Sequence, residues 1–280
     1  DPKVGLAPKV RLAQEELEFD TEPFKVTLGS SEFYQDPVDP NLKKGVFEFN
    51  FTHPVDAATL EKRIDLTLVD GAGTRQPDPR HVISYDDRRL KAFVHSAPLS
   101  LPENGGKLHL QLDEGVASTL GGPGAKDKLE GSVDLPSLYS VKLDTAEAAL
   151  VDNERYEPEQ VLVLGFNNAM KDSEVAGATR AWLLPERNPE DRDDRGPEPY
   201  AWNDGQVTEA LLAKSEPIAL NALPTEREYI EAHSLRFKAP PKRYLYVRVA
   251  KGLKSFGGFI LGQDFTGVRK VPDYPALLRF

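Results

Sequence analysis

Apolar and polar residues alternate along much of the chain. Val46-Phe47-Glu48-Phe49-Asn50-Phe51 sets three Phe on one face, with Glu48 and Asn50 on the other. Leu108-His109-Leu110-Gln111-Leu112-Asp113 repeats that period of two. Such alternation predicts half-buried antiparallel strands. Further strands are predicted at 24–28, 64–69, 90–95, 161–166, 181–184, 235–238 and 244–249. Turn clusters such as Asp86-Asp87-Arg88-Arg89 and Glu103-Asn104-Gly105-Gly106 separate them. Helix signals are short. Residues 56–62 make one or two turns with Asp56 as cap, and 206–214 follow Asp204 and stop before Pro217. Short strands with frequent turns predict an all-β fold of two tandem antiparallel β-sandwich domains.

An internal repeat sets the organisation. Phe51-Thr52-His53-Pro54-Val55-Asp56 ends a strand and leads into a short polar helix. Phe166-Asn167-Asn168-Ala169-Met170-Lys171 does likewise, before Asp172-Ser173-Glu174. Later in each half an alternating strand meets Gly, then Ser three residues on, then Gly-Gly. The first instance holds Gly115, Ser118, Gly121 and Gly122; the second holds Gly252, Ser255, Gly257 and Gly258. The second unit is about twenty residues longer, which surface loops tolerate. The charged stretch 186–205 is the expected insert. The expected boundaries are an extension over 1–17, a first sandwich over 18–136, a second over 137–271, and a linker or start of a further domain over 272–280.

Composition narrows the chemistry. A net charge of −10 without a Lys/Arg cluster argues against nucleic acid as a partner. With no cysteine, the segment holds no disulfide, thiolate nucleophile or Cys-based zinc site. No run of eighteen apolar residues spans a bilayer. The chain opens at Asp1 without Met, a basic n-region or an apolar h-region, so any signal sequence is expected to have been removed or to lie outside this stretch.

Phe33-Tyr34-Gln35-Asp36-Pro37-Val38-Asp39-Pro40 and Phe49-Asn50-Phe51-Thr52-His53-Pro54-Val55-Asp56 resemble the opening of bacterial alpha-2-macroglobulins. Leu245-Tyr246-Val247-Arg248-Val249-Ala250-Lys251-Gly252-Leu253-Lys254-Ser255-Phe256-Gly257-Gly258-Phe259, followed by Val271-Pro272-Asp273-Tyr274-Pro275, is similar to the same family where its second N-terminal domain gives way to the next. The resemblance implies a long array of macroglobulin-like sandwiches acting as a broad-range protease trap. It implies a bait segment and, in many members, a Cys-Gln thioester, both outside this Cys-free stretch. It further implies a periplasmic protein tethered to the inner membrane. Its expected partners are the remaining domains of the same chain, host or foreign proteases, and periplasmic cell-wall synthesis proteins. The alternative is an Ig-like structural or adhesive module of a bacterial surface protein, which the motif after Phe51 also fits.

Candidate chemistry is sparse, and no catalytic residue, cofactor or metal site is expected. His81 and His95 could face each other across a hairpin, but a third ligand is missing and two surface histidines is the preferred reading. Asp191, Asp193 and Asp194 are hard oxygen donors, yet Arg187, Arg192 and Arg195 between them oppose a dication. Gly121-Gly122-Pro123-Gly124 before Lys126 lacks the ending of a phosphate loop and reads as a turn. Trp182 lies in a strand pattern and is expected in the core. The one candidate interaction surface is Tyr200 and Trp202 beside the charged pair Arg192 and Asp193. The competing reading has Trp202 pack the insert onto its own domain.

Overall fold

The computed structural model describes residues 22–77, 80–190 and 200–274. The first half contains β1 (Val26–Gln35), β2 (Lys43–Phe51), α1 (Ala57–Glu61), β3 (Ile64–Asp70), β4 (Arg75–Pro77), β5 (His81–Tyr85), β6 (Lys91–Ser96), β7 (Gly106–Leu112) and β8 (Leu129–Leu135). The second contains β9 (Leu143–Asp152), β10 (Pro158–Lys171), α2 (Asp172–Ala178), β11 (Thr179–Leu183), α3 (Glu209–Leu212), β12 (Glu216–Ile218), β13 (Asn221–Ala222), β14 (Tyr229–Arg236), β15 (Tyr244–Val249) and β16 (Phe265–Lys270).

These strands form four antiparallel sheets, ordered β1-β2-β6-β5 and β4-β3-β7-β8 in the first half, and β9-β10-β14-β13 and β12-β11-β15-β16 in the second. Adding eight to each strand number of the first half gives the second. The protein is two tandem β-sandwiches of one topology.

The alternation of β2 is realised in the burial. Phe47, Phe49 and Phe51 are buried and Glu48 and Asn50 are not. They meet Leu66, Leu108, Leu110 and Leu112 from the facing sheet in one core. The second core repeats the arrangement, with Leu162, Leu164 and Phe166 of β10 against Leu245, Val247 and Val249 of β15. Burying one such side chain contributes roughly 1.5–3 kcal/mol, so these faces hold each pair of sheets together.

Local signals set the junctions. The Asp56 carboxylate accepts the Ala58 N–H at 3.0 Å and caps α1. In the predicted helix at 206–214, a 3-10 turn at Asp204–Gln206 precedes α3, and the Thr208 hydroxyl accepts the Leu211 N–H at 3.2 Å. The β3–β4 connection is the short turn 71–74, whereas the matching β11–β12 connection runs 184–215. The extra length thus falls where the charged stretch 186–205 lies, and extends ten residues beyond it to the start of β12.

The strand register bears on the histidine pair already set aside, and one expectation, that for Trp182, is corrected. His81 pairs with Ser96, and His95 with Val82. Side chains alternate along a strand, so the two histidines lie on opposite faces of the hairpin and cannot share an ion. Trp182 is half-buried, not in the sandwich core, because Ala181 and Leu183 on either side of it are the inward residues of β11. Its ring lies on the outer face of the sheet.

Candidate interaction surface

The insert builds a small core of its own. Leu184, Trp202, Leu211, Leu212 and Tyr246 are buried together, with Trp182 and Tyr200 packed against them. The outward residues of β11 and β15 supply the floor. This explains why β15 is buried almost without alternation: Leu245, Val247 and Val249 face the sandwich, and Tyr246 faces the insert. Arg248 lies over the Trp182 ring at 5.6 Å and the Tyr246 ring at 5.9 Å, and its guanidinium donates to Glu209. The N–H of Val268 donates to the Asp204 carboxylate at 2.6 Å, which ties the insert to the edge strand β16.

Trp202 is 6% exposed, and its indole N–H donates to the Pro185 carbonyl at 2.9 Å. It packs the insert onto its own domain, as the competing reading has it. Tyr200 meets Trp202 edge-on at 5.3 Å, and its hydroxyl accepts from Gln206 at 3.0 Å. Tyr200 is half-buried and lines a cleft of about 390 Å³ with Glu186, Arg187, Lys242 and Arg243. Arg243 donates to the Leu184 carbonyl at 2.7 Å and reaches Glu186 at 3.4 Å. Arg192 and Asp193, like Asp191 and Asp194, lie outside the described residues.

A second contact joins the two sandwiches. Lys43 opens β2 and is only 5% exposed. Its ammonium donates to the carbonyl of Pro40 at 2.6 Å and to that of Gly257, in the second sandwich, at 2.7 Å. It also sits 5.2 Å from the Phe259 ring centroid. Burial, and then the nearby Lys254, hold its pKa below the ordinary lysine value, which Asp39 partly offsets. A Cβ on Gly257 would come within 2.9 Å of the Gln35 amide nitrogen and of the Phe259 ring, so the loop backbone lies close against the β1–β2 hairpin.

The linker is fastened to both sides. The Leu138 N–H donates to the Pro102 carbonyl at 2.9 Å, and the Leu138 carbonyl accepts from Ile260 at 2.8 Å. Val141 then bridges to Leu261 in parallel, and Leu101 packs against the second core. Sequence reasoning singled out Gly257 and Gly258 as part of a repeat but missed Lys43. A lysine at a strand start reads as exposed, and only the tertiary contact buries it.

Among the described residues no group of three or more His, Asp or Glu is placed to hold a metal ion, and no helix is long and apolar enough to cross a membrane. The fold and these surfaces define a tandem β-sandwich module whose distinctive features are contacts between domains.

Three curated relatives align with nearly all of this chain. An alpha-2-macroglobulin homologue of Yersinia pestis is 34% identical over 282 residues, which covers 100% of this chain and 14% of the relative. An alpha-2-macroglobulin of Pasteurella multocida is 29% identical over 100% of this chain and 15% of its own length. One of Rickettsia conorii is 24% identical over 95% of this chain. The chain therefore spans about a seventh of the length of the curated relatives it matches. No protein-family model matches it. A solved structure of native alpha-2-macroglobulin from Escherichia coli overlaps 88% of this chain and 71% of its own, with 10% identity and a TM-score of 0.29, too low to carry weight. On the sequence relationships, the chain is homologous from end to end to a segment of the bacterial alpha-2-macroglobulins.

Proposed function

We propose that this chain is a scaffold and contact segment, from the N-terminal part, of an alpha-2-macroglobulin-like protease inhibitor, and that it performs no catalysis itself. The observation carrying this reading is the end-to-end relationship to curated alpha-2-macroglobulins several times longer. Two sandwiches fastened through Lys43 and a linker bonded on both sides suit a structural part of a longer array. Under this reading the whole protein sits in the periplasm, tethered to the inner membrane. It engages proteases through segments outside this one, and cell-wall synthesis proteins are further partners.

The test compares the whole protein with this segment. Incubated with trypsin, the full-length protein is expected to carry the protease into a high-mass fraction on gel filtration. The 280-residue chain at equal molarity is expected to leave trypsin free and fully active. Inhibition by the segment alone would overturn the division of labour, and failure of the full-length protein to retain trypsin would overturn the trap.

A further inference from the structure

The turn cluster Glu103-Asn104-Gly105-Gly106, which leads into β7, holds the linker between the sandwiches. The Gly105 N–H donates to the Pro102 carbonyl at 3.3 Å and closes the turn. The same carbonyl accepts from Leu138 at 2.9 Å, and the Glu103 carbonyl accepts from the Ser137 hydroxyl. On the other side, the Gly71 N–H donates to the Gly105 carbonyl at 2.7 Å. A Cβ on Gly71 would lie 2.6 Å from the Asn104 carbonyl oxygen. The cluster is thus clamped between the β3–β4 turn and the first residues of the linker.

Asn104 differs from the other asparagines of the chain, because it alone precedes glycine. Glycine has no Cβ to obstruct an approach to its nitrogen, so the Asn104 side chain can reach the next backbone nitrogen. Other asparagines are held. The side-chain oxygen of Asn153 accepts from Arg155 at 2.9 Å and from Glu157 at 3.0 Å. That of Asn167 accepts from Lys142 at 2.8 Å, and its Nδ2 donates to Ser140 at 3.0 Å. Among the described residues the Asn104 amide has no such partner, so no bond restrains its rotation towards Gly105. The one bond on the Gly105 nitrogen, at 3.3 Å, is longer than an ordinary N–H to carbonyl bond.

We infer that Asn104 is a site of spontaneous deamidation, and that its conversion to isoaspartate loosens the linker. The Gly105 nitrogen gives up its proton and bonds to the Asn104 Cγ. The Cγ–Nδ2 bond breaks, and ammonia leaves with that proton. The succinimide ring then takes up one water. Opening between the nitrogen and Cγ gives aspartate; opening between the nitrogen and the main-chain carbonyl carbon gives isoaspartate. In isoaspartate the chain runs through Cβ and Cγ, one methylene longer, and a carboxylate stands where the product of the parent was a neutral amide. Clamped on both sides, the turn cannot take in that methylene with the bonds at Pro102, Glu103 and Gly105 all kept.

The experiment holds the 280-residue chain at mildly alkaline pH in water enriched in heavy oxygen, then follows it by peptide mapping and amide exchange. Heavy oxygen is expected in the peptide holding residue 104 before any other asparagine peptide, with isoaspartate as the main product. The converted fraction is expected to exchange faster at the amides of Leu138, Val141 and Ile260, which carry the linker bonds. Asn104→Gln should take up no label there and keep the exchange of the parent. Freshly prepared Asn104→Asp adds the charge without the methylene and should change exchange less. Absence of label at 104, or earlier label at another asparagine, would overturn the site. Conversion at 104 with unchanged linker exchange would overturn its effect on the linker.

Discussion

Gly115 and Gly252 stand at the same point of two copies of one strand order, with φ of 94° and 95°. An L-residue in this region suffers a clash between its Cβ and the backbone, at roughly 1–2 kcal/mol. A Cβ at Gly252 meets nothing within 4 Å, so Gly252→Ala isolates that backbone cost. A Cβ at Gly115 also comes within 3.0 Å of the Arg63 guanidinium, which donates to Glu114. Gly115→Ala is therefore expected to lower the thermal midpoint more than Gly252→Ala, and Asn at either position to recover part of the loss. Equal stability of the alanine variants and the parent would refute the strain argument.

Which strands were legible in the sequence follows from their place in the sheets. The interior strands β2, β3, β6, β7, β10, β11 and β15 were predicted, whereas β14 was met only at its last two residues and β1 only at its start. The others, β4, β5, β8, β9, β12, β13 and β16, are all edges. An interior strand is flanked by backbone on both sides and packs its apolar face fully, so its alternation is strong. Edge strands are kept short, charged or proline-bearing, which discourages pairing with other chains. Arg75-Gln76-Pro77 and Glu216-Pro217-Ile218 illustrate why such strands read as loops. Of the candidate surface, Trp202 was found by residue type, but its inward direction depends on the outward face of β15, which no local pattern reports.

Lys43 gives the clearest test of the contact between the sandwiches. Lys43→Met keeps the length of the side chain and its place beside Phe259 but leaves the Pro40 and Gly257 carbonyls without their donor. A buried acceptor left unpaired costs about 1–3 kcal/mol. The expected result is faster amide exchange over 255–261 and a larger radius of gyration in solution scattering, with both cores still folded. Unchanged exchange and scattering would show that the linker bonds alone hold the pair.

Trp202→Ala should act locally. Truncating a buried tryptophan costs roughly 3–5 kcal/mol, and the indole bond to Pro185 is lost with it. The cluster with Leu184, Leu211 and Leu212 is separate from the core that holds Phe166 and Leu245. Limited proteolysis is expected to cut within 184–215 while the rest of the second sandwich survives. Trp202→Phe should protect in part.

Alkaline pH tests Tyr85. Burial, reinforced by the neighbouring Glu61, pushes its pKa up to about 12 from an ordinary value of 10.0. Between those values the folded state keeps the phenol proton and the unfolded state releases it, so stability falls as pH rises through that window. Below pH 10 the group contributes no slope. Tyr85→Phe removes this dependence. The melting-temperature difference between parent and variant should therefore be constant below pH 10 and drift in the variant's favour between 10 and 12. A flat difference throughout would show that Tyr85 titrates as an ordinary phenol.

His233 and Asp172 fasten α2 to the second core. The ring of His233 is fully buried, edge-on to Phe166 at 5.6 Å, and its Nδ1 lies 2.8 Å from an Asp172 carboxylate oxygen. Among the described residues its Nε2 has no hydrogen-bond partner. A carboxylate accepts, so Nδ1 carries the proton of this bond. Asp172→Ala strips the last partner from a buried ring, at about 1–3 kcal/mol. Asp172→Asn keeps an acceptor oxygen and should cost less. His233→Phe with Asp172→Ala removes both polar groups and should be milder than the two single losses added together, because neither is left unpaired. Chemical denaturation of the parent, Asp172→Ala, His233→Phe and the double variant gives the coupling directly. A coupling of zero would mean that the histidine is held by packing against Phe166 and Leu164 rather than by the carboxylate.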